Sequence, residues 1–516
     1  MGLKIAFRVD AAFGIGTGHV LRCLTLASEL AKAGNEIYFI SRLHPGHLCD
    51  YIEQMGYPIF RLEAPSVSWD NQNQDCEVDY STWLGAEYEA DAESTVAYCR
   101  QEKIDAIFVD HYGIDEKWES LVKKSVDKIL VIDDLANRAH NCDWLIDQTY
   151  GRNYSDYEHF LPGETSVLLG GAYALLRSEF ANARKTSLYR SRKSVQQILI
   201  TMGGIDPDNV TSKILDWLTM SSLPDTTKII IVLSKNAVWI DALKKQLPTN
   251  RFCVDLRLGV SNIAELMSQS DLSIGAGGTT AWERCALGLP TIQYVLAENQ
   301  RFIAKTLSSR RVIIPLELTG NSAELVTAVD SSHLRLKKIQ ILSAAMIDGR
   351  GAARVVNNIF NRGSQDRELY LQPVNDNSSQ YIYYLQSLPG VRNYFRSPDI
   401  PTLSDHERWF KRAIDDTEIA MFIVTLDDER VGMVRLDELN GSHLLISIIV
   451  DPKYAGKGIG KKCLSTLLEI CPADSFKAII HKANIASRRI FERSGFVLSD
   501  SEDGDFLVYF KEENLS

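Results

Sequence analysis

Several absences in this 516-residue chain narrow what it can do. Its nine cysteines are scattered, with no Cys-x-x-Cys and no pair at zinc-ligand spacing, which excludes the common zinc modules and predicts reduced thiols in a cytoplasmic protein. No apolar run approaches the roughly 18 residues of a membrane-spanning helix, so stable membrane insertion is not expected. An excess of positive charge is also missing. Lys and Arg number 56 against 67 Asp and Glu, a net charge of −11, which argues against a nucleic-acid partner. The start, MGLKIAFRVD, has one lysine and an apolar run that stops at Arg8 and Asp10; it reads as a first strand, not a signal peptide.

The chain is too long for one hydrophobic core. Short apolar strands alternate with helical text, at Ile5–Val9, Glu36–Ile40, Ala106–Val109 and Ile129–Ile132. A second series lies at Gln197–Thr201, Ile229–Leu233, Phe252–Asp255, Leu272–Gly275 and Thr291–Tyr294. Strands this continuous in Ile, Val, Leu and Phe are buried on both faces, which predicts parallel, doubly wound sheets. Two series predict two Rossmann-like halves, residues 1–183 and 184–361, with the basic stretch Arg184–Lys193 as their connection. The polar segment NRGSQDR at 361–367 marks a boundary. From 366 to 516 the text changes to a helix (Ser404–Ala413), strands at Glu418–Leu426, Arg430–Leu436 and His443–Val450, then a Gly-rich loop and helix, an α+β pattern.

The first strand runs into Asp10-Ala-Ala-Phe-Gly14-Ile-Gly16-Thr-Gly18-His19. Three glycines allow tight turns and close approach by a ligand, and a helix start near His19 offers free N–H groups to an anion. The spacing is not the GxGxxG of dinucleotide sites. The helix field disfavours a positive His19, which suits a proton acceptor; a plain helix cap is the alternative. Asp10 is placed to orient His19, to hold a sugar hydroxyl, or simply to make the turn. Asp110-His111-Tyr112-Gly113 ends another strand, where parallel sheets face their ligands. Asp133-Asp134 is similarly placed, but no His or Cys cluster accompanies it and no metal is expected.

The segment Ala276-Gly277-Gly278-Thr279-Thr280-Ala281-Trp282-Glu283 follows the strand Leu272–Gly275. Its glycines let backbone approach a diphosphate, Thr279 and Thr280 add donors, and Glu283 stands one turn inside, where it can accept from ribose hydroxyls. GGTTAWERCALGLP resembles the UDP-binding segment of GT-B-fold enzymes such as the lipid-II N-acetylglucosaminyltransferase. With FRVDAAFGIGTGHVLRC, VDHYGID, GGAYALLRSEF, TMGGIDPDN and AENQR, the first 360 or so residues are similar to the UDP-2,4-diacetamido-2,4,6-trideoxy-β-L-altropyranose hydrolases of pseudaminic acid biosynthesis. The resemblance implies a GT-B-like pair of Rossmann-like domains, His19 as base within the Gly18-His19 block, Glu283 on the nucleotide, and Tyr173, Arg177, Gly278, Thr279, Thr280, Asn299 and Gln300 at the substrate. UDP is a good leaving group, so one base to activate water, donors for the diphosphate and accurate placement suffice.

Further on, Asp451-Pro-Lys-Tyr-Ala455-Gly456-Lys457-Gly458-Ile459-Gly460 opens a helix after the strand that ends at Val450, and Asn484-Ile-Ala-Ser-Arg-Arg-Ile-Phe491 follows. Together they resemble the GNAT acetyltransferases, and VRNYFRSPDI with SDHERWF is similar to the branch that N-acetylates UDP-4-amino-sugars. The resemblance implies an acetyl-CoA site at Val450, Gly456, Lys457, Gly458, Ile459, Gly460 and Asn484. Two positions depart from the pattern: Ala455 stands for the usual Arg or Gln, and Phe491 for the tyrosine that protonates the departing thiolate.

The expected function is therefore bifunctional: acetyl-CoA-dependent N4-acetylation of a UDP-4-amino-sugar, and hydrolysis of UDP from the diacetamido sugar with anomeric inversion. UDP-amino-sugars are the expected substrates. The sequence does not fix the oligomeric state. The alternatives are a UDP-dependent glycosyltransferase with a fused acetyltransferase, and a non-catalytic UDP-sugar-binding protein with a degenerate GNAT domain.

Overall fold

Continuous apolar runs become the strands of two all-parallel sheets. The computed structural model describes residues 2–65, 80–318, 321–360, 368–426, 429–472 and 474–512. The first sheet contains β1 (Lys4–Val9), β2 (Glu36–Arg42), β3 (Ile59–Leu62), β4 (Ala106–Asp110), β5 (Lys128–Ile132), β6 (Trp144–Asp147) and β7 (Ser166–Leu169). Their order is β3-β2-β1-β4-β5-β6-β7. Phe7 of β1 stacks between Phe39 of β2 and Phe108 of β4, with ring centroids 5.1 and 4.9 Å apart, so one aromatic layer ties the three central strands. The second sheet contains β8 (Gln197–Thr201), β9 (Lys228–Leu233), β10 (Cys253–Leu258), β11 (Leu272–Ala276), β12 (Thr291–Val295) and β13 (Ile314–Glu317), ordered β10-β9-β8-β11-β12-β13. In each sheet the strand order reverses once, between β1 and β4 and between β8 and β11. Loops at the carboxyl ends of those strands flank the crevice where such sheets take ligands.

The third sheet is mixed. It runs β14-β15-β16-β17-β18-β20-β19, with β14 (Leu369–Pro373), β15 (Ala420–Leu426), β16 (Glu429–Asp437), β17 (Leu444–Val450), β18 (Phe476–His481), β19 (Val497–Asp503) and β20 (Phe506–Lys511). All its pairings are antiparallel except β17 with β18.

The chain divides into two compact units, Met1–Ser178 with Gly349–Gln365, and Glu179–Asp348 with Asp366–Ser516. These limits differ from the three parts expected from the sequence, residues 1–183, 184–361 and 366–516. The helix Gly351–Phe360, expected with the second half, buries Ala352, Val355, Val356 and Ile359 in the first core beside Ile5, Phe7 and Leu24. It enters tightly: a Cβ on Gly351 would stand 2.3 Å from the Ala174 carbonyl oxygen, so only glycine fits. The basic stretch from Arg184 is not a linker. It belongs largely to the helix Ser178–Tyr189, and Arg184 donates to the carbonyls of Ala286, Ala344 and Ile347 in the second unit. The expected boundary at 361–367 lies outside the described residues.

Within the second unit the mixed-sheet domain is docked, not strung on a tether. Lys338, buried on the helix Leu336–Met346, donates to the carbonyls of Ile414 and Asp416 at 2.7 and 2.6 Å. Lys337 pairs with Asp474 at 2.6 Å, and Arg311 pairs with Asp376 and Asp415. Among the described residues, no helix is long and apolar enough to cross a membrane.

Candidate active site

His19 is the second residue of the helix Gly18–Lys32, which starts after Thr17 at the carboxyl end of β1. Gly16, at φ +83°, bonds back to Ala12 and folds the intervening loop into a tight turn. His19 does not cap the helix. Its ring is buried and its Nδ1 lies 2.6 Å from Asp110 Oδ1, at the end of the neighbouring strand β4. Arg22, one turn along the same helix face, grips the same carboxylate with Nε and Nη2, both at 2.6 Å. Burial alone would raise the Asp110 carboxyl, but Arg22 and His19 outweigh it and hold the group well below the usual carboxylate range. An ionised Asp110 only accepts, so Nδ1 carries a proton, and in the neutral ring the lone pair is then on Nε2. Among the described residues Nε2 has no hydrogen-bond partner. The ring is walled by Tyr112, edge-on at 4.6 Å, with Trp83 stacked on Tyr112 at 5.6 Å. Arg22 Nη1 also bonds Asp134 at 2.8 Å, and Asp134 accepts from the Tyr112 hydroxyl.

Asp10 does not orient His19. It is fully buried below the loop, where Arg8 Nη1 at 2.7 Å, the Arg42 amide at 2.7 Å and Ser41 Oγ at 3.2 Å hold one oxygen. Its other oxygen faces His111 Nε2 at 3.3 Å and His44 Nε2 at 3.6 Å. Burial opposes ionisation here too, but Arg8 prevails and keeps Asp10 well below the ordinary range. The carboxylate thus ties the ends of β1, β2 and β4 together from within, and sequence adjacency to the loop misled as to its partner.

The acidic pair after β5 is likewise held by cations, Asp134 by Arg22 and Asp133 by Arg138. Asp133 accepts from Arg138 at 2.6 Å, Tyr157 at 2.9 Å and the Ala136 amide at 2.9 Å. Among the described residues, no group of three or more His, Cys, Asp or Glu is arranged to hold a metal ion. Burial raises Asp133, but Arg138 and these donors outweigh it, lowering the group to about 2. A depressed carboxyl contributes stability that is present above its unfolded value near 4 and is lost as pH falls through the folded value. Asp133→Asn is therefore expected to cost about 2 kcal/mol at pH 7 and to flatten the loss of stability between about pH 4 and 2, read by urea unfolding at a series of pH values.

Tyr173 and Arg177 follow the edge strand β7, with β5 and β6 between it and β4. Tyr173 packs on the first core.

In the second unit, β11 ends at Ala276 and the loop Gly277–Thr279 leads to the helix Thr280–Ala286. Gly277 is crowded, since a Cβ would stand 2.7 Å from Gln293 Nε2, whereas Gly278 faces open space. Gln300 Oε1 accepts from the amides of Gly277 and Leu296 at 3.3 and 3.0 Å, so it braces this loop against the one after β12. Thr279 is exposed and makes no side-chain cap, and Glu283 is half-buried one turn inside the helix. The side chain of Asn299 lies outside the described ones. After β8, the GGIDPDN text serves the backbone: Asp206 accepts from the amides of Val210 and Thr211, both at 2.9 Å, and starts the next helix.

In the third sheet, β17 and β18 pair only at Leu444–Phe476 and Leu445–Lys477. Beyond those residues the strands part, leaving a notch whose upper end is Val450. Gly456 and Gly458, at φ +76° and +77°, turn the chain from there into the helix Ile459–Ile470, and neither has an atom near its missing Cβ. That exposes backbone N–H groups at a helix start, the arrangement that takes a pyrophosphate. The Lys457 ammonium lies over the Tyr454 ring at 5.0 Å. Gly460 packs closely on Ile490 of the next helix. Asn484 caps that helix, Ile485–Arg493, accepting from the Ser487 amide at 3.1 Å. Phe491 is buried edge-on against Phe496 and has no hydroxyl to offer. A tyrosine the sequence reading passed over, Tyr509 on β20, bonds Glu492 at 2.9 Å and Arg488 at 3.2 Å across the same helix.

Comparison with known proteins agrees with this layout. The acetyltransferase (GNAT) domain model matches residues 368–497. An uncharacterized protein of Methanocaldococcus jannaschii is 25% identical over 518 aligned residues, 96% of each chain. The UDP-2,4-diacetamido-2,4,6-trideoxy-β-L-altropyranose hydrolase of Campylobacter jejuni is 28% identical over 311 residues, 60% of this chain and 97% of that one. The crystal structure of MurG from Acinetobacter baumannii superposes with a TM-score of 0.52 at 12% identity, covering 70% of this chain and all of the other. That likeness is one of fold. The chain comprises two GT-B-like parallel Rossmann-like sheets followed by a mixed-sheet GNAT domain, and its N-terminal region resembles UDP-sugar hydrolases.

Proposed function

We propose that the N-terminal region hydrolyses UDP-2,4-diacetamido-2,4,6-trideoxy-β-L-altropyranose, and that the GNAT domain uses acetyl-CoA to acetylate the 4-amine of its UDP-4-amino-sugar precursor. The observation that carries the first half is the His19–Asp110 pair, with Nε2 free to accept a proton, at the strand reversal of the first sheet. His19 Nε2 takes a proton from water as the water oxygen bonds to the anomeric carbon. The bond from that carbon to the diphosphate oxygen breaks, UDP leaves with the electron pair, and the configuration inverts. Gly278, Thr279, Thr280 and Glu283 hold the nucleotide, and Tyr173, Arg177, Asn299 and Gln300 act at the substrate.

For the second half, support comes from the GNAT match and from the notch between β17 and β18 beside the Gly456–Gly460 turn. When bound there, acetyl-CoA supplies the thioester. This chain's residues contribute the backbone donors of the turn and the sheet edge that aligns the acetyl group. Phe491 donates no proton, so the thiolate takes its proton elsewhere.

A proton NMR time course tests both. With the diacetamido nucleotide sugar and no acceptor, release of UDP and the opposite free anomer is the expected result. With the 4-amino precursor and acetyl-CoA, an N-acetyl signal should grow as free thiol appears. A nucleotide sugar that stays intact until a sugar acceptor is added would instead identify a transferase.

A further inference from the structure

The helix Thr280–Ala286 carries a guanidinium that the protein itself does not neutralise. Arg284 is 1% exposed. Its Nη2 donates to the Ala276 carbonyl at 2.7 Å, but Nη1 meets Thr201 Oγ1 and Nη2 meets Gln293 Oε1 only at 3.5 Å, and Nε has no acceptor. Among the described residues no carboxylate pairs with it.

Other buried arginines in this chain are treated differently. Arg8 and Arg22 sit on carboxylates. Arg192, which makes no ion pair among the described residues, fills its donors with Ser270 O, Ser187 O and Ser187 Oγ. Room is made for Arg284 at some cost: a Cβ on Gly275 would stand 2.4 Å from its Nη1, so β11 carries glycine where a packed side chain would otherwise go. Gln293 beside it is fully buried with Nε2 unpartnered, 2.7 Å from the place of a Gly277 Cβ. Two buried side chains with unfilled donors therefore lie directly beneath Gly275–Gly277. Burial lowers Arg284 to about 10, against the smaller opposing pull of Cys285 and Glu283.

A buried charge left unpaired is a burden on the fold, and replacing it by an apolar group usually relieves that burden. The charge lies under the loop assigned above to the nucleotide, and this inference rests on that assignment. We propose that Arg284 is the buried counter-charge for the diphosphate of the bound UDP-sugar, a positioning residue that acts through the peptide Ala276–Gly277. By donating to the Ala276 carbonyl it fixes that peptide, whose Gly277 N–H is held by Gln300 Oε1 at 3.3 Å, and its field reaches the loop through a dry layer that water does not screen.

The test compares the wild type with Arg284→Met and Arg284→Lys in three measurements: calorimetric titration with UDP, ligand-observed NMR titration with uridine, and the melting midpoint without nucleotide. Arg284→Met should melt at or above the wild-type temperature, yet bind UDP about 10- to 100-fold more weakly, with uridine affinity changed less than about threefold. Arg284→Lys should recover part of the UDP affinity. If UDP affinity in Arg284→Met stays within about threefold of wild type, or UDP and uridine weaken together, the counter-charge role is overturned. A variant that melts well below wild type marks Arg284 as a structural tie and overturns it equally. Wild type that fails to bind UDP would instead refute the nucleotide assignment of the loop, a separate result.

Discussion

His19→Ala is expected to slow UDP release about 10²- to 10⁴-fold while leaving UDP affinity within about threefold, because the imidazole is proposed to act on water and not on the nucleotide. The fold should survive the change. Asp110 keeps its two bonds from Arg22 at 2.6 Å, so no carboxylate is stranded. Asp110→Asn is the sharper test. Asparagine at this place no longer enforces a proton on Nδ1, and the lone pair can move to the wrong side of the ring. The expected result is a fall in kcat of about 10²-fold with little change in KM. Steady-state kinetics of UDP release on the three proteins decides the matter. Undiminished turnover in His19→Ala would remove the base from the mechanism. An unchanged kcat in Asp110→Asn would leave Asp110 as packing only.

The His19–Asp110 pair shows how far the sequence could be read. The loop after β1, its glycines and His19 are local text, and the structure has the helix starting at Gly18, next to the expected His19. The partner is not local: Asp110 reaches His19 because β1 and β4 are parallel neighbours, with Val9 opposite Asp110 in register. Nothing in the spacing of two residues 91 apart announces that adjacency. Asp10, close in sequence, was the natural candidate, yet it turns into the interior and pairs with Arg8.

The same contrast holds for the elements. Runs such as KIIIVL and LSIGA are unmistakable, while the four-residue strands IFRL, WLID, SVLL and IPLE are too short or too mixed to register as a period. The return helix Gly351–Phe360 has a clear apolar face, but a face does not say which of two sheets it will cover.

Asp91→Ala is expected to cost the first unit about 3–5 kcal/mol, enough to threaten its folding. Asp91 is buried and accepts from Arg8 Nε and Nη2 at 3.1 and 2.7 Å, from Arg42 Nη2 at 2.7 Å and from Trp118 Nε1 at 3.0 Å. Deleting its carboxylate leaves two guanidiniums in the interior with Asp10 as the remaining acid between them. Urea unfolding followed by tryptophan fluorescence should show an early transition in this variant. The double change Arg8→Met with Asp91→Leu removes charge of both signs and should recover about half of the loss, since an apolar pair of similar volume carries no desolvation cost. If the double variant is no better than Asp91→Ala, the network acts through geometry rather than charge balance. Asp10 belongs to the same network, which separates it from His19 by experiment. Asp10→Asn should lower stability and leave kcat of the folded protein nearly unchanged, whereas a residue that orients the base would do the reverse. The buried ions under the loop set the frame, and His19, whose Nε2 has no hydrogen-bond partner among the described residues, is the imidazole proposed to act on water.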